Sequence, residues 1–231
     1  MKDYGNIYKY ILIYVYLLII IAVLLYRYPS LWEYNKKNTT LKNENIYEEY
    51  ILGGYLKDKV SFDIDKMYFP IAFSGCKDKW ISYVDSYGYE RTYGGDRKHE
   101  GCDIMTVNNV RGELPVVAVS DGVVEKLGWL ELGGYRIGIR TKSGVYYYYA
   151  HLYCYEPGIK IGDNVVAGQI LGYVGDTGYS KVEGTTGNFD VHLHFGIYLK
   201  DKDGNEYTVN PYPLLRKLED SVINYTFNLS N

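Results

Sequence analysis

The pattern of hydrophobic and polar residues changes twice along this chain. Residues 10–26 are uncharged and almost entirely apolar, whereas residues 28–65 mix asparagine, lysine and glutamate with tyrosine. From Tyr68 onward, short apolar runs alternate with glycine-containing turns. Such regular short runs are typical of antiparallel β-structure and not of βαβ units. The pattern predicts an all-β domain, a small antiparallel sandwich or barrel-like fold, preceded by an N-terminal transmembrane helix.

The apolar run 10–26 predicts a membrane anchor. As a helix it would be about 25 Å long, near the lower limit for crossing a bilayer, and Lys9 and Arg27 could reach the two interfaces. A cleaved secretory signal is the alternative, but no Ala-x-Ala-like cleavage site follows the run. We therefore expect a single-pass protein of the cell membrane with its β domain outside the cytoplasm. The predicted segments are a short N-terminal segment (1–9), a signal-anchor (10–27), a stalk or pre-domain (28–66), the β domain (67–212) and a C-terminal helix and tail (213–231).

Turn signals predict the local order of elements within the β domain. Residues 114–119 and 123–127 are apolar runs on either side of Asp121-Gly122, a dipeptide typical of tight hairpin turns. We expect these two runs to pair as a hairpin. Near the end of the domain, the sequence from Asn210 predicts a short helix that continues through Leu218.

The segment 192–199 is the clearest predicted strand. Its side chains alternate, and successive side chains of a strand point to opposite faces. One face then carries the polar set His192, His194 and Tyr198, and the other carries Leu193, Phe195, Ile197 and Leu199. The apolar set is expected in the core. The two histidines are then expected to face a groove, about 6 to 7 Å apart along the strand.

The chain has four histidines, and all of them lie between residues 99 and 194. Besides the pair on the predicted strand, they are His99, four residues before Asp103, and His151. Imidazole nitrogen and carboxylate oxygen are ligands that zinc prefers, and a catalytic zinc site leaves one coordination position open. The set predicts one zinc ion that activates water, with the remaining imidazoles able to move a proton or stabilise an oxyanion.

Charge and cysteine content narrow the possible classes of protein. The net charge of -3 lacks the basic surplus of a nucleic-acid-binding protein. The three cysteines, Cys76, Cys102 and Cys154, allow at most one intramolecular disulfide, and the sequence does not select the pair. On an extended strand Cys102 would point away from the face that carries Asp103, so we expect a buried thiol there and not a metal ligand.

Five ordered motifs resemble one known family. They are His99-x-x-x-Asp103, the run from Leu114 to Val124, Tyr149-Ala-His151-Leu, the run from Val165 to Gly178, and His192-Leu-His194-Phe. Together they are similar to the lysostaphin/LytM-type zinc endopeptidases of the M23 family, over residues 90 to 200. The resemblance implies a LytM-type antiparallel β fold with a narrow groove that cleaves peptide bonds in peptidoglycan stem peptides or cross-bridges.

The resemblance also implies roles for individual residues. Carried over position by position, it makes His99, Asp103 and His194 the zinc ligands and His151 and His192 the catalytic pair. Tyr93 is a weaker candidate for a supporting hydroxyl. The implied partners are a peptidoglycan peptide as substrate and the membrane through the N-terminal helix; no protein partner is indicated.

Two departures from the family pattern and three alternatives bear on function. Before the His-x-His motif the family usually has a short turn that ends in Gly-Pro, whereas this chain has Val191 in place of the proline and a longer loop, 178–190. A longer loop beside the groove should alter substrate choice. The main alternative is a non-catalytic or autoinhibited scaffold of a cell-division or sporulation complex. A biotinyl- or lipoyl-like carrier lacks its modifiable lysine, and a purely structural zinc site normally has four protein ligands.

Overall fold

The computed structural model of the protein describes residues 66–224. Within this range it contains twelve strands and one short α-helix, so the expected mostly-β architecture is confirmed. The predicted anchor at 10–27 and nearly all of the predicted stalk lie outside the described residues. No helix within residues 66–224 is long and apolar enough to span a membrane.

The strands are short and follow one another closely. Their bounds are β1 Ile81–Ser82, β2 Glu90–Arg91, β3 Arg97–Lys98, β4 Cys102–Thr106, β5 Pro115–Val117, β6 Gly122–Leu130, β7 Gly134–Arg140, β8 Tyr146–Tyr155, β9 Asn164–Val165, β10 Ile170–Val174, β11 His192–Lys200 and β12 Glu206–Val209. Helix α1 spans Tyr212–Lys217 and continues into a 3-10 turn at Leu218–Asp220, as predicted for this region.

Ten of the strands form one antiparallel sheet, in which the order β1-β4-β11-β8-β7-β6-β9 makes the main path. Strand β12 pairs with β11, and β10 pairs with both β5 and β8. Strands β2 and β3 form a separate two-stranded hairpin. The long strand β11 therefore lies between β4 and β8, and it carries the His-x-His motif into the middle of the sheet.

Strand β11 separates the core from a groove, as its alternation predicts. Leu193 and Phe195 are fully buried, and the rings of Tyr147 and Tyr149 on β8 pack against Phe195 at 6.1 and 5.4 Å between centroids. The opposite face of the same strand is only partly covered. Burial of the apolar face fixes the register, because a slip of one residue would turn every core side chain towards the groove.

The predicted hairpin between residues 114–119 and 123–127 is wrong. Strand β5 pairs with β10, and β6 pairs with β7 and β9. The glycine of the Asp-Gly signal is needed for strand packing, because a Cβ on Gly122 would lie 2.6 Å from Cγ2 of Ile139 and 2.8 Å from the carbonyl oxygen of Arg140. Gly122 therefore allows β7 to approach β6 closely and does not supply a left-handed turn residue.

Candidate active site

Three potential metal ligands converge at one end of the groove. The register of the sheet places His194 on β11 directly opposite Asp103 on β4, and Nδ1 of His194 lies 3.0 Å from Oδ1 of Asp103. His99 follows β3, and its Nε2 lies 3.0 Å from the same carboxylate oxygen and 2.9 Å from Nδ1 of His194. One carboxylate oxygen and two imidazole nitrogens thus face one another.

Neighbouring groups fix the orientation of these side chains. Nδ1 of His99 lies 2.8 Å from the carbonyl oxygen of Ser86. Because a carbonyl only accepts, Nδ1 carries the proton and Nε2 presents its lone pair to the cluster. Gly101 leaves room for the His194 imidazole, since a Cβ at residue 101 would lie 2.7 Å from that ring. Close approach of backbone to ring therefore requires glycine at this position.

The protonation states of the cluster suit a cation. Burial raises the pKa of Asp103, but the adjacent imidazoles of His194 and His99 outweigh burial and hold this pKa well below its usual range. Burial lowers the pKa of His194, so its ring is neutral near pH 7. Nη2 of Arg91 lies 2.5 Å from Oδ2 of Asp103, which leaves Oδ1 for the cluster. An ionised carboxylate and two imidazoles within 4.8 Å fit a zinc ion with an open position.

His151 enters the groove through an irregularity in β8. Tyr135 of β7 pairs with Leu152 and Ile137 pairs with Tyr149, so β8 has one extra residue between these two pairs. At this bulge His151 has φ of 62°, a left-handed conformation that is uncommon for a side chain other than glycine. The bulge lets both Ala150 and His151 line the groove, although strict alternation would send one of them into the core. Backbone strain of this kind is concentrated at functional sites.

The ring of His151 is held from behind by the backbone. Its Nδ1 lies 2.8 Å from the carbonyl oxygen of Thr177, so it donates and leaves Nε2 with a lone pair. Burial lowers the pKa of His151 well below its usual range, and the nearby rings of His192 and His194 lower it further. The ring is therefore neutral, and its free nitrogen is a proton acceptor.

His192 lies beside His151, with 4.8 Å between ring centroids. Its Nδ1 lies 2.7 Å from the carbonyl oxygen of Asp190, which again makes Nδ1 the donor. Its Nε2 lies 3.7 Å from Oδ1 of Asp103, so the ring borders the ligand cluster. The two rings thus each present Nε2 towards the groove, next to the convergent ligands.

The walls of the groove are aromatic and charged. Tyr148 contacts His194 edge-on at 5.8 Å between centroids, and Tyr179 contacts His151 edge-on at 6.0 Å. The lining includes three cationic side chains, Arg91, Arg97 and Lys98, and two carboxylates, Glu100 and Asp103. Among the tyrosines of β8, Tyr147 and Tyr149 pack in the core, whereas Tyr148 lines the groove. The alternation of β8 opposite the His-x-His strand is the signal that could have identified Tyr148.

A comparison with known proteins identifies the domain. The model of peptidase family M23 matches residues 97–211, which include the ligand cluster and both remaining histidines. The chain belongs to peptidase family M23. The expected resemblance is thereby confirmed, and the ligand cluster described above lies within the matched residues.

Individual relatives agree with the M23 assignment. The L-Ala--D-Glu endopeptidase of Bacillus subtilis is 39% identical over 82% of this chain and 54% of its own length. Glycyl-glycine endopeptidase ALE-1 of Staphylococcus capitis is 35% identical over 59% of this chain and 35% of its own length. The crystal structure of lytM from Ruminococcus gnavus is 50% identical, with a TM-score of 0.63, and the match covers 71% of this chain and 65% of that one. The chain thus spans about half or less of the length of these curated relatives.

The M23 domain brings together all five residues predicted for the site. The weaker candidate Tyr93 does not line the groove but packs behind Tyr179, which does: its hydroxyl donates to the carbonyl oxygen of Tyr179 at 2.5 Å, and the two rings stack with centroids 4.3 Å apart. Cys102 is fully buried, with Sγ 3.2 Å from the carbonyl oxygen of Val84, as expected for a structural thiol. All three cysteines are free. Sequence reasoning missed Arg91 and the backbone carbonyls that orient the histidines.

Proposed function

We propose that this chain is a zinc endopeptidase that hydrolyses peptide bonds in peptidoglycan. The observation that carries the proposal is the convergence of His99, Asp103 and His194 beside two further imidazoles whose ring centroids are 4.8 Å apart. Two neutral imidazoles and one carboxylate leave a zinc ion with residual positive charge and an open position, unlike a closed structural site. Membership of family M23 supports the same reaction.

The ligand cluster would hold the metal through Nε2 of His99, Oδ1 of Asp103 and Nδ1 of His194. A zinc ion bound there supplies Lewis-acid polarisation of the scissile carbonyl and makes water acidic enough to attack near neutral pH. Arg91 keeps the second oxygen of Asp103 occupied, which favours a single carboxylate contact. Tyr148, packed against His194, keeps that ring in place.

The histidine pair would transfer the proton of the attacking water and stabilise the developing negative charge. The Nε2 of neutral His151 accepts a proton from the attacking water and can return it to the leaving amine. Nε2 of His192, when protonated, donates a hydrogen bond to the oxygen on which negative charge develops. Both roles need fixed rings, and the carbonyl oxygens of Thr177 and Asp190 hold Nδ1 of His151 and His192 at 2.8 and 2.7 Å.

The charge of the groove supports a stem peptide as substrate, in preference to a glycine bridge. Arg91 forms an ion pair with Asp103. The other charged side chains that line the groove are two cations, Arg97 and Lys98, and one carboxylate, Glu100. Within residues 66–224 the ammonium group of Lys98 has no partner. A peptide that contains D-Glu carries a carboxylate that these cations can attract, whereas polyglycine carries none. The relative named L-Ala--D-Glu endopeptidase, which aligns with 82% of this chain, is consistent with that choice.

We further propose that residues 10–27 anchor the enzyme in the cell membrane, with the M23 domain outside the cytoplasm. The uncharged run 10–26 supports the anchor, and Lys9 and Arg27 could reach the two interfaces. Deleting residues 1–30 should release the protein into the soluble fraction of lysed cells, as followed by immunoblotting of membrane and soluble fractions. Continued sedimentation of the truncated protein with the membranes would contradict an anchor at 10–27.

Mass spectrometry of digested peptidoglycan tests the reaction and the substrate together. The purified full-length chain is incubated with two peptidoglycans that share stem peptides but differ in glycine bridges, with and without a zinc chelator. We expect new peptide ends at L-Ala–D-Glu bonds in both materials, suppressed by the chelator and restored by added zinc. Ends confined to glycine bridges would contradict the stem-peptide assignment. Intact peptidoglycan from a protein that contains one zinc ion would contradict the enzymatic proposal.

A further inference from the structure

The segment 177–190, here called the histidine loop, carries the hydrogen-bond acceptors of the proposed catalytic pair at its two ends. Thr177, its first residue, accepts from Nδ1 of His151, and Asp190, its last residue, accepts from Nδ1 of His192. This loop is longer than the turn expected for the family. The orientation of both imidazoles therefore depends on whatever holds the two ends of one loop.

An ion pair between Arg111 and the buried carboxylate of Asp176 clamps this loop. Asp176, just before the loop, is only 2% exposed. Its two carboxylate oxygens accept from Nε and Nη2 of Arg111 at 2.5 and 2.8 Å, and Oδ2 also accepts from the backbone N–H of Gly187 at 2.8 Å. A bidentate, charge-assisted pair has a well-defined geometry. Asp176 thereby joins the start of the loop to a point three residues before its end.

Packing contacts connect the clamped loop to the rings of His151 and His192. Phe189, two residues after Gly187, contacts His151 at 4.6 Å and His192 at 5.1 Å between centroids. The side chain of Asn109 holds the far end of the loop, through Oδ1 of Asp190 at 3.1 Å and the N–H of Val191 at 2.7 Å. Neither Asp176 nor Arg111 lines the groove. The loop therefore links the pair to both rings.

We propose that Asp176 and Arg111 are positioning residues that orient His151 and His192 by fixing the histidine loop. The ligand cluster is independent of this clamp, because Asp103 and His194 lie on paired strands and Nδ1 of His99 donates to Ser86. Loosening the clamp should therefore reduce proton transfer while zinc stays bound. The consequence for turnover rests on the proposed function; the consequence for ring orientation does not.

The kinetic test compares Asp176→Asn with a matched control. Asparagine removes the charge at nearly constant volume, so we expect kcat to fall by about 10- to 100-fold, with little change in KM and with one zinc ion retained per chain. The control is Glu125→Gln, since Glu125 forms a similar bidentate pair with Arg140 at 2.6 and 2.9 Å, away from the groove. Wild-type kcat in Asp176→Asn, or an equal loss in the control, would overturn the proposal.

A second variant tests the ion pair independently, in case Asp176→Asn misfolds. Arg111 has a side chain that is 43% exposed, so Arg111→Ala leaves space that solvent can reach. We expect added guanidinium ions to restore part of the lost kcat of Arg111→Ala and to leave Asp176→Asn unchanged. Failure of guanidinium to raise the activity of Arg111→Ala would overturn the proposed role of the ion pair.

Proton NMR of the full-length, zinc-loaded chain labelled with 15N-histidine tests orientation without any substrate. Wild type should show slowly exchanging Nδ1–H signals for His99, His151 and His192. In Asp176→Asn the signals of His151 and His192 should broaden or exchange faster, while that of His99, bonded to Ser86, stays unchanged. Unaltered signals for all three would overturn the clamp even if kcat fell. If wild type proves inactive on peptidoglycan, the proposed function fails and this spectrum alone decides the clamp.

Discussion

The two halves of the candidate active site are built in different ways. Asp103 and His194 face each other across the regular pairing of β4 with β11, and their neighbours in the core are fully buried. His151, by contrast, lies at a bulge with left-handed backbone, and its ring is oriented by the first residue of the histidine loop. His192 belongs to β11 but is oriented by the last residue of that loop.

Metal binding and proton transfer therefore depend on different parts of the structure, the paired strands and the histidine loop. Paired strands with buried neighbouring residues separate only when the whole domain unfolds. A loop can move locally at a much lower free-energy cost. We expect substitutions in the strands to affect zinc first and substitutions around the loop to affect turnover first. Four substitutions, taken in order of decreasing effect, probe this separation.

Replacing His194 with alanine removes a ligand from the strand-based half. We expect zinc to be lost and activity to fall by at least about 10³-fold, because the zinc ion is the principal electrostatic stabiliser of the transition state. Zinc content by mass spectrometry and peptidoglycan turnover should fall together. Full zinc occupancy in His194→Ala would show that the ligand set is different.

Replacing His192 with alanine affects the loop-oriented half. We expect turnover to fall by about 10²- to 10⁴-fold, the usual contribution of a positioned acid or base, while one zinc ion per chain remains. Zinc content measured on the same sample serves as the internal control. Full activity would remove His192 from the mechanism, and loss of zinc would place it among the ligands.

Replacing Gly101 with alanine challenges the strand-based half without touching a ligand. The added Cβ would lie 2.7 Å from the His194 ring and 2.6 Å from the carbonyl oxygen of Phe195. We expect zinc affinity to fall by about 10- to 100-fold, as measured by competition with a chromogenic chelator. Gly172→Ala is the matched control, because its Cβ would lie 2.4 Å from the carbonyl oxygen of Cys154, outside the groove. Equal affinity losses in both variants would point to general destabilisation.

Replacing Tyr93 with phenylalanine should have the smallest effect. It removes one hydrogen bond, to the carbonyl of Tyr179, but keeps the stacked rings. We expect the free energy of unfolding to fall by about 1 kcal/mol or less and kcat to change by less than about tenfold. Tyr89→Phe, at a more exposed tyrosine, is the control. A loss of kcat as large as that of His192→Ala would return Tyr93 to the catalytic machinery.

The predictable parts of the site are those that follow from local periodicity. Alternation along 192–199 was sufficient to place His194 on the groove face and Phe195 in the core, because burial fixes the register. The position of Asp103 opposite His194 needed the family resemblance, since pairing between β4 and β11 joins residues that are distant in the chain.

The parts that could not be predicted depend on tertiary contacts. The Asp121-Gly122 signal favoured a hairpin, but Gly122 is required by the close approach of β7. Nothing in the tyrosine-rich sequence of β8 marks the bulge at His151. The carbonyl groups that orient the histidines belong to Ser86, Thr177 and Asp190, and backbone acceptors leave no trace in residue identity.

X-ray absorption at the zinc edge of the purified full-length chain tests the division between ligands and catalytic pair most directly. This division predicts one zinc ion with two imidazole nitrogens and a carboxylate oxygen at about 2.0–2.1 Å, plus an exchangeable oxygen ligand. The same spectrum is expected for His192→Ala. A sulfur ligand, three or more imidazoles, or a changed first shell in His192→Ala would contradict it.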